Sequence, residues 1–452
     1  MSIQEFFFKY TFFVYYPKGN LVNNKKVVIT GIGPLSSAGI GSKNTWKSLV
    51  NRKPELTREK MYMDNDIWDE FYLHKIASFS IHNFGIDRAA LNSIKDWKEG
   101  ESVTDLEYLL ASVKLAIDDS GISYDPEVNK IGCVITHENP GLEQYFTKLI
   151  DLSYEALNSK QIKKVTFTEY VHNKSIKSAY ELQSFTVLFH IMKAFSLHGY
   201  SLFLNNACSS GLHAFENAAQ IIKSGRCPVV VLAGSDFPRI YKYLWFKELN
   251  MYEQDGKMKP FDKHAGGLVF GDGGAGFVIE ELEHARNRGA KIYAEYCGGG
   301  FTQEAWKTIF PNVASNHYSD AIKEALTFSR YSSEQIDVLC AHGAAHPIID
   351  RYEAGAICRI FGDVSTQPAI TALKPYVGHN LGGNNLLEIA ILLMCMQNNT
   401  ILPLINTETI HPKITLNLNQ KPIEREITAF MKICCAFAGY NAAAVYRKYK
   451  DS

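Results

Sequence analysis

The sequence predicts an α/β fold assembled from two similar halves. Each half contains a strand, a tight turn and an apolar helix: Leu202–Gly225 reads LFLNNACSSGLHAFENAAQIIKSG, and residues 369–396 repeat that order. Each half also contains a helix, a strand and a polar loop with histidine, as NKIGCVITHENPG and EQIDVLCAHGAAH show. Helix-length connections between strands favour mostly parallel pairing in buried sheets. These repeats predict an internal duplication of alternating β and α elements.

In the first half, Lys25–Gly31 predicts a strand that leads into a Gly-Ile-Gly turn. This turn lacks the third glycine and the lysine of a phosphate-binding loop, so it does not favour a nucleotide site. Thr104–Ser120 predicts an amphipathic helix and Ile131–Ile135 a strand. Residues 143–183 are polar and weakly periodic, which indicates a surface excursion.

The middle of the chain and the second half give further elements. Glycines from Gly271 to Gly276 indicate close backbone approach. The predicted elements are a strand at Phe277–Ile279, helices at Glu281–Arg288 and Ser319–Phe328, strands at Ile336–Cys340 and Ala369–Leu373, a turn at Lys374–Asn385 and a helix at Leu386–Met396. That last helix is apolar all round, which is typical of a helix between two layers.

Composition excludes several classes of function. The 452 residues balance 47 basic against 47 acidic side chains, which argues against a nucleic-acid binder. The nine cysteines include no CxxC pair, so neither a zinc site nor a disulfide framework is indicated. Reduced thiols fit a cytoplasmic protein.

Residues 1–24 predict an extension outside the core. This stretch is rich in aromatic residues, but Lys9 and Lys18 interrupt it, and its apolar part is too short to span a bilayer. It also lacks the features of a signal peptide. We expect it to pack on a surface or to touch a membrane, without stable membrane insertion.

Cys208 is the first candidate catalytic residue. Small residues surround it in NNACSSG, and a helix follows. The positive end of that helix is expected to lower the pKa of the thiol and favour the thiolate. The alternative for any single cysteine is an inert buried thiol.

The ordered motifs VVITGIG, NACSSG, PFDKHAGGLVFGDGGAG, AHGAAH, LKPYVGHNLGG and AFAGYN are similar to those of the β-ketoacyl synthases, over roughly 25–448. This resemblance to type I/II enzymes implies a duplicated thiolase-like fold, layered α-β-α-β-α with two mixed sheets. It also implies an N-terminal half at 25–285 that carries the nucleophile. The C-terminal half, at 286–452, carries the catalytic histidines.

The resemblance also implies the site residues. These are the nucleophile Cys208, the histidines His342 and His379, Lys374 with its acidic partner Glu353, and Phe437 as the gate of the acyl pocket. The alternatives are structural histidines and an ordinary ion pair between Lys374 and Glu353. His137 matches no catalytic position, and we expect it to be structural.

The implied reaction is a decarboxylative condensation in fatty-acid, specialised lipid or polyketide biosynthesis. An acyl group would pass to Cys208, and the two histidines would bind the enolate formed from a malonyl-type extender. The backbone N–H groups of Cys208 and Phe437 would bind the second oxyanion. The substrates would be carried on the phosphopantetheine of an acyl carrier protein, and no metal or redox cofactor is expected.

Several positions depart from the family pattern. Both threonines of the usual HGTxT motif are replaced, by Ala344 and His346. The other departures are Ala265, Asn384, Asn385, Ala436, Ala438 and Tyr440. They indicate a divergent, dedicated enzyme and leave two alternatives open. One is acyl transfer or condensation without decarboxylation, and the other is a non-catalytic subunit that shapes chain length.

The resemblance further implies a two-fold dimer, either a homodimer or a heterodimer with a related subunit. The strand before Cys208 would lie near the interface. A carrier protein could dock on a lysine cluster in the excursion, formed by Lys160, Lys163, Lys164, Lys174 and Lys177. The alternative for this cluster is a solvated face.

Overall fold

The computed structural model describes residues 25–51, 54–63, 66–97, 104–128, 130–158, 169 and 183–450. The predicted N-terminal extension and the lysine cluster lie outside these residues. Within the described part of the chain, no helix is both long and apolar enough to cross a bilayer.

Helices alternate with strands along the chain. The helices are α1 (Ser42–Val50), α2 (Arg88–Trp97), α3 (Thr104–Ser120), α4 (Leu142–Asn158), α5 (Ser184–Ala194), α6 (Ser210–Lys223), α7 (Ile240–Glu248), α8 (Leu282–Asn287), α9 (His317–Ser329), α10 (Pro347–Phe361), α11 (Lys374–Val377) and α12 (Asn384–Asn398). The strands are β1 (Val27–Ser36), β2 (Gly39–Ile40), β3 (Thr57–Met63), β4 (Asp66–His74), β5 (Gly132–Thr136), β6 (Ser201–Leu204), β7 (Val229–Asp236), β8 (Phe270–Gly271), β9 (Gly273–Glu281), β10 (Ala294–Gln303), β11 (Val338–Cys340), β12 (Ala369–Thr371), β13 (Thr400–Ile401), β14 (Ile423–Glu424), β15 (Ala429–Cys435) and β16 (Tyr440–Lys448).

The sheet repeats one topology in the two halves. In the first half the order is β6-β5-β7-β9-β1, and in the second it is β12-β11-β15-β16-β10. In each half the first three strands pair in parallel and the last two add antiparallel. The predicted duplication and mixed pairing are therefore confirmed. The expectation of mostly parallel pairing is wrong, because β1, β9, β10 and β16 pair only antiparallel with their neighbours in the sheet. The two sheets meet where β1 pairs with β10, so they form one continuous sheet.

Three large apolar clusters fill the spaces between the layers of helices and the sheet. The central cluster joins α6 and α12 to the inner faces of both halves of the sheet. One outer cluster packs α3 and α5 on β5 and β7, and the other packs α9 and α10 on β11 and β15. The thiolase-like α-β-α-β-α layering is thus confirmed. As predicted, α12 is buried on every side, from Asn384 to Met396.

The excursion predicted at 143–183 stays a prediction, because residues 159–168 and 170–182 lie outside the described residues. Its first part forms the helix α4, at Leu142–Asn158. This helix packs through Phe146, whose ring stacks on Tyr241 at 4.5 Å, and through the buried Leu152. In the sequence, the polar residues of α4 make the periodicity of this apolar face weak, so the helix was not predicted. The boundary between the two halves at 285/286 stays a prediction.

Candidate active site

Cys208 lies in the tight turn between β6 and α6. Ala207, just before it, has a φ of 50°, a left-handed conformation that is uncommon for a residue with a side chain. The hydroxyl of Ser210 accepts a 2.7 Å hydrogen bond from the N–H of Asn206 and thereby closes the turn. The turn and the first residues of α6 therefore hold the thiol at the start of a buried helix.

The expected low pKa of the thiol is wrong for the free enzyme. Burial raises the pKa of Cys208 well above its usual value, and Glu138 and Cys434 add to this effect. Lys374 and Lys242 act in the opposite direction but do not outweigh burial. The nucleophile is therefore a neutral thiol at rest, and its proton must leave during acylation.

The turn after α11 holds His379. Its N–H donates to the carbonyl of Val269 at 2.8 Å, and its carbonyl accepts from the N–H of Gly271 at 3.2 Å. The Nδ1 atom accepts a 2.9 Å hydrogen bond from the N–H of Leu381. Because Nδ1 is an acceptor, the proton of the neutral ring lies on Nε2.

The loop after β11 holds His342. Its Nδ1 lies 3.4 Å from the ammonium of Lys374 and 3.3 Å from the thiol of Cys434. The ammonium of Lys374 can only donate a hydrogen bond, so the ring proton again lies on Nε2. The His342 and His379 rings lie 5.7 Å apart at 80°, and both line one cavity with Cys208.

Both histidines are neutral near pH 7. Burial lowers the pKa of His342 well below its usual value, and the charge of Lys374 lowers it further. Burial and Lys374 lower the pKa of His379 in the same way. Two neutral rings, each with a hydrogen on Nε2, can donate to an oxygen that gains negative charge.

The expected pairing of Lys374 with Glu353 is wrong. Lys374 pairs instead with Glu388, whose Oε1 lies 3.2 Å from Nζ. Glu353 accepts hydrogen bonds from the N–H groups of His342 and Gly343, at 2.6 and 2.8 Å, and from the hydroxyl of Tyr318. Both acids thus support His342, one through its backbone and the other through Lys374.

Sequence reasoning missed three residues beneath the histidines: Glu388, Lys432 and Cys434. A signal was present, because Glu388 interrupts the apolar helix α12 and Lys432 interrupts the apolar strand β15. Charged residues on fully buried elements require partners. The departure at Asn385 also has a role, since its side-chain amide donates to the carbonyl of Cys208 at 2.7 Å.

The cavity above Cys208 is mainly apolar. Phe437 lines it, and its ring stacks on Phe246 at 5.5 Å. Ala438, the next residue, has a φ of 60°, and its N–H donates to the carbonyl of Thr308 at 2.6 Å. These contacts fix the loop that carries Phe437, although the gating role of Phe437 stays a prediction.

His346 lines the same cavity and caps α10, because its Nδ1 accepts from the N–H of Ile348 at 3.3 Å. His137 lies elsewhere, between Asp105 and Asp236 at 3.3 Å from each. That position suits the structural role expected for His137.

We predict that Gly271→Ala impairs both stability and activity. A Cβ at position 271 would lie 1.9 Å from the carbonyl oxygen of Val377, in the segment that leads to His379. Such overpacking costs about 1–3 kcal/mol. Gly355→Ala is the matched control, because position 355 lies in α10 with open space around it. Thermal unfolding and turnover check this, and equal behaviour of the two variants would contradict it.

Comparisons with known proteins identify the family of this chain. Residues 24–285 match the family model for the beta-ketoacyl synthase N-terminal domain, and residues 293–408 match that for the C-terminal domain. Among curated relatives, 3-oxoacyl-acyl-carrier-protein synthase 2 of Coxiella burnetii is 26% identical and synthase 1 of Escherichia coli is 28% identical. These alignments cover 95% and 94% of this chain, respectively, and 100% of each relative.

Solved structures show the same fold. The ishigamide ketosynthase/chain length factor superposes with a TM-score of 0.81 at 23% identity, over 94% of this chain and 100% of the other. A type II PKS ketosynthase, solved in complex with its acyl-carrier protein, superposes with a TM-score of 0.79 at 21% identity and the same coverage. The chain belongs to the beta-ketoacyl synthase family, and it is a condensing enzyme of the acyltransferase class.

Proposed function

We propose that this enzyme condenses an acyl group held on Cys208 with a malonyl-type extender held on an acyl carrier protein, with loss of carbon dioxide. One observation carries the proposal. Cys208, His342 and His379 line a single cavity, and hydrogen bonds to each Nδ1 atom leave both Nε2–H groups as donors.

The first step transfers the acyl group. The Cys208 sulfur attacks the thioester carbonyl of the acyl carrier, a new C–S bond forms, and the carrier thiol leaves with the proton of Cys208. In the tetrahedral intermediate the oxygen carries negative charge. The backbone N–H groups of Cys208 and Phe437, which line the same cavity, would bind that oxygen.

The second step breaks the bond between the malonyl carboxylate and its α-carbon, and carbon dioxide leaves. The electron pair forms an enolate, whose oxygen accepts hydrogen bonds from the Nε2–H groups of His342 and His379. The α-carbon then attacks the acyl carbonyl on Cys208. The thiolate of Cys208 leaves and takes up a proton from water. Because these residues supply every step, the proposal requires no metal or redox cofactor.

The carrier would present its substrates on phosphopantetheine. His346 supports this, because its Nδ1 accepts the cap hydrogen bond of α10 and the residue lines the cavity. In the usual HGTxT motif, threonine hydroxyls occupy positions 344 and 346. A hydrogen bond from the Nε2–H of His346 to an amide carbonyl of the phosphopantetheine arm would replace one of the bonds that those hydroxyls make. The type II PKS ketosynthase in complex with its acyl-carrier protein supports such a partner.

The proposed assembly is a two-fold dimer through β6. This strand lies at the edge of the sheet, where β5 is its only partner among the described strands. The helix α5 contacts β6 and exposes the apolar side chain of Phe189. A homodimer or a heterodimer with a related subunit satisfies this geometry. The free thiols are compatible with a cytoplasmic location, which we include in the proposal.

A carrier assay tests the proposed reaction. The enzyme is incubated with a pool of acyl carriers and with a carrier bearing a radiolabelled malonyl group. We expect labelled carbon dioxide, a β-ketoacyl product lengthened by the extender, and an acyl group on Cys208, all detected by scintillation counting and mass spectrometry. An acylated Cys208 without carbon dioxide release would favour acyl transfer without decarboxylation. No acylation at all would favour a non-catalytic subunit.

A further inference from the structure

A second lysine lies beneath His342, on β15. Side chains alternate along this strand, so that Phe430, Lys432 and Cys434 face the central layer. Lys432 is fully buried, at 0% exposure, and its position pairs with Cys340 on β11. A methionine would fill the same space without burying a charge. The contribution of the ammonium must therefore come from the groups that it holds.

The ammonium of Lys432 has two partners. It donates to the carbonyl of Ala341 at 2.9 Å and lies 2.7 Å from Oε2 of Glu388. Lys374 makes the matching contacts, because it donates to the carbonyl of His342 and lies 3.2 Å from Oε1 of Glu388. Two ammonium groups thus share one carboxylate, and each holds one of two successive carbonyls in the loop that bears His342.

The opposite side of this loop is also held. Glu353 accepts the N–H groups of His342 and Gly343. The backbone around His342 therefore has charged partners on both its carbonyl and its N–H sides, and only Lys432 among them comes from β15. The charge of Lys432 also acts on both catalytic rings and lowers the pKa of each, although less than burial and Lys374 do.

We propose that Lys432 is a positioning residue of the condensation: it fixes the Ala341 carbonyl and Glu388, and thereby directs the Nε2–H of His342 at the enolate oxygen. This inference rests on the proposed function of the site. Lys432 does not touch the substrate. It acts through Glu388 and through the backbone of the His342 loop, and it adds a second positive charge below the two rings.

Lys432→Met tests the proposal, because it keeps the length of the stem and removes the charge. We expect kcat for malonyl decarboxylation to fall about 10- to 100-fold, with KM changed less than about threefold, because preorganised donors act mainly on kcat. Alkylation of Cys208 by iodoacetamide should stay within about threefold of the wild type. Phe430→Leu is the control, since it disturbs the same face of β15 through its stacking on Tyr446.

The pH profile gives a readout that a structural role would not move. Without the charge of Lys432, His342 takes up a proton more easily, so the acid limb of kcat should move to higher pH. The other charged or titratable groups around the rings and their cavity include Lys374, Lys242, Glu388, Glu353, Glu138, His379, His346, Cys340, Cys434, Cys435 and Cys208. These groups are present in both the wild type and Lys432→Met, so a difference between the two pH profiles reports the loss of the Lys432 charge.

Each outcome decides a separate point. If the wild type releases no carbon dioxide, the proposed function fails before Lys432 is tested. If the wild type is active and Lys432→Met retains its kcat and pH profile, the positioning role is overturned. The same holds if Phe430→Leu loses as much kcat as Lys432→Met. If Lys432→Met does not fold, as judged by circular dichroism, Lys432→Gln provides the pH-profile test, because it also removes the charge, and an unchanged profile would overturn the role.

Discussion

Replacing Cys208 by alanine is expected to abolish condensation, with a loss of at least about a thousandfold in turnover. The variant removes the only protein atom that forms a bond to the acyl group in the proposed mechanism. Decarboxylation of the malonyl carrier should persist within about tenfold, because His342 and His379 bind the enolate without help from the sulfur. Product formation by mass spectrometry and release of labelled carbon dioxide separate the two activities.

Cys133→Ala is the matched control for this variant. It is the same substitution at another fully buried cysteine, on β5 and away from the cavity lining. Its condensation rate should stay close to that of the wild type once folding is verified. Condensation that survives in Cys208→Ala, or that is lost equally in Cys133→Ala, would refute the assignment of Cys208 as the acyl acceptor.

Replacing Glu388 by glutamine is expected to destabilise the protein by about 3–5 kcal/mol. Glu388 is fully buried and is the shared ion-pair partner of two ammonium groups, those of Lys374 and Lys432, both of which are also fully buried. The amide would keep the size of the side chain but leave both charges without a counterion. Urea denaturation at pH 7 measures this loss as a lower midpoint.

A surface pair provides the comparison for Glu388. Glu59 lies 2.7 Å from Lys75 with both side chains partly exposed, so Glu59→Gln should cost less than about 1 kcal/mol. The double variant Glu388→Gln with Lys432→Met should recover part of the loss, because it removes one of the unpaired charges. Equal midpoints for Glu388→Gln and Glu59→Gln would show that the buried network contributes little to stability.

Much of the fold could be predicted from the sequence because its signals are local. Thr104–Ser120 has a clear helical periodicity, and its bounds agree with the structure. The duplicated order of strand, turn and helix predicted the repeated topology. The motifs around Cys208, His342 and His379 predicted that these residues converge, although they come from different halves. The joining of the sheets through β1 and β10 has no local signature and was not predicted.

The partners of the catalytic residues were harder to predict. Glu353 and Glu388 are both acids in the second half, and only the packing of α12 against β15 decides which one meets Lys374. The prediction that Cys208 is a thiolate in the free enzyme was wrong for a similar reason. The start of α6 is a local feature that favours the thiolate, whereas burial by the surrounding layers is a global feature that opposes it, and burial prevails.

The two histidines differ in how easily a substitution of a neighbouring residue can change the position of the ring proton. The ring proton of His379 is fixed by a main-chain N–H, that of Leu381, which every residue except proline supplies. The ring proton of His342 is fixed by the side chains of Lys374 and Cys434, which single codon changes can replace. His379 is therefore the mutationally robust donor of the pair. During evolution, substitutions of the residues next to His342 can therefore change the reaction more readily than substitutions next to His379.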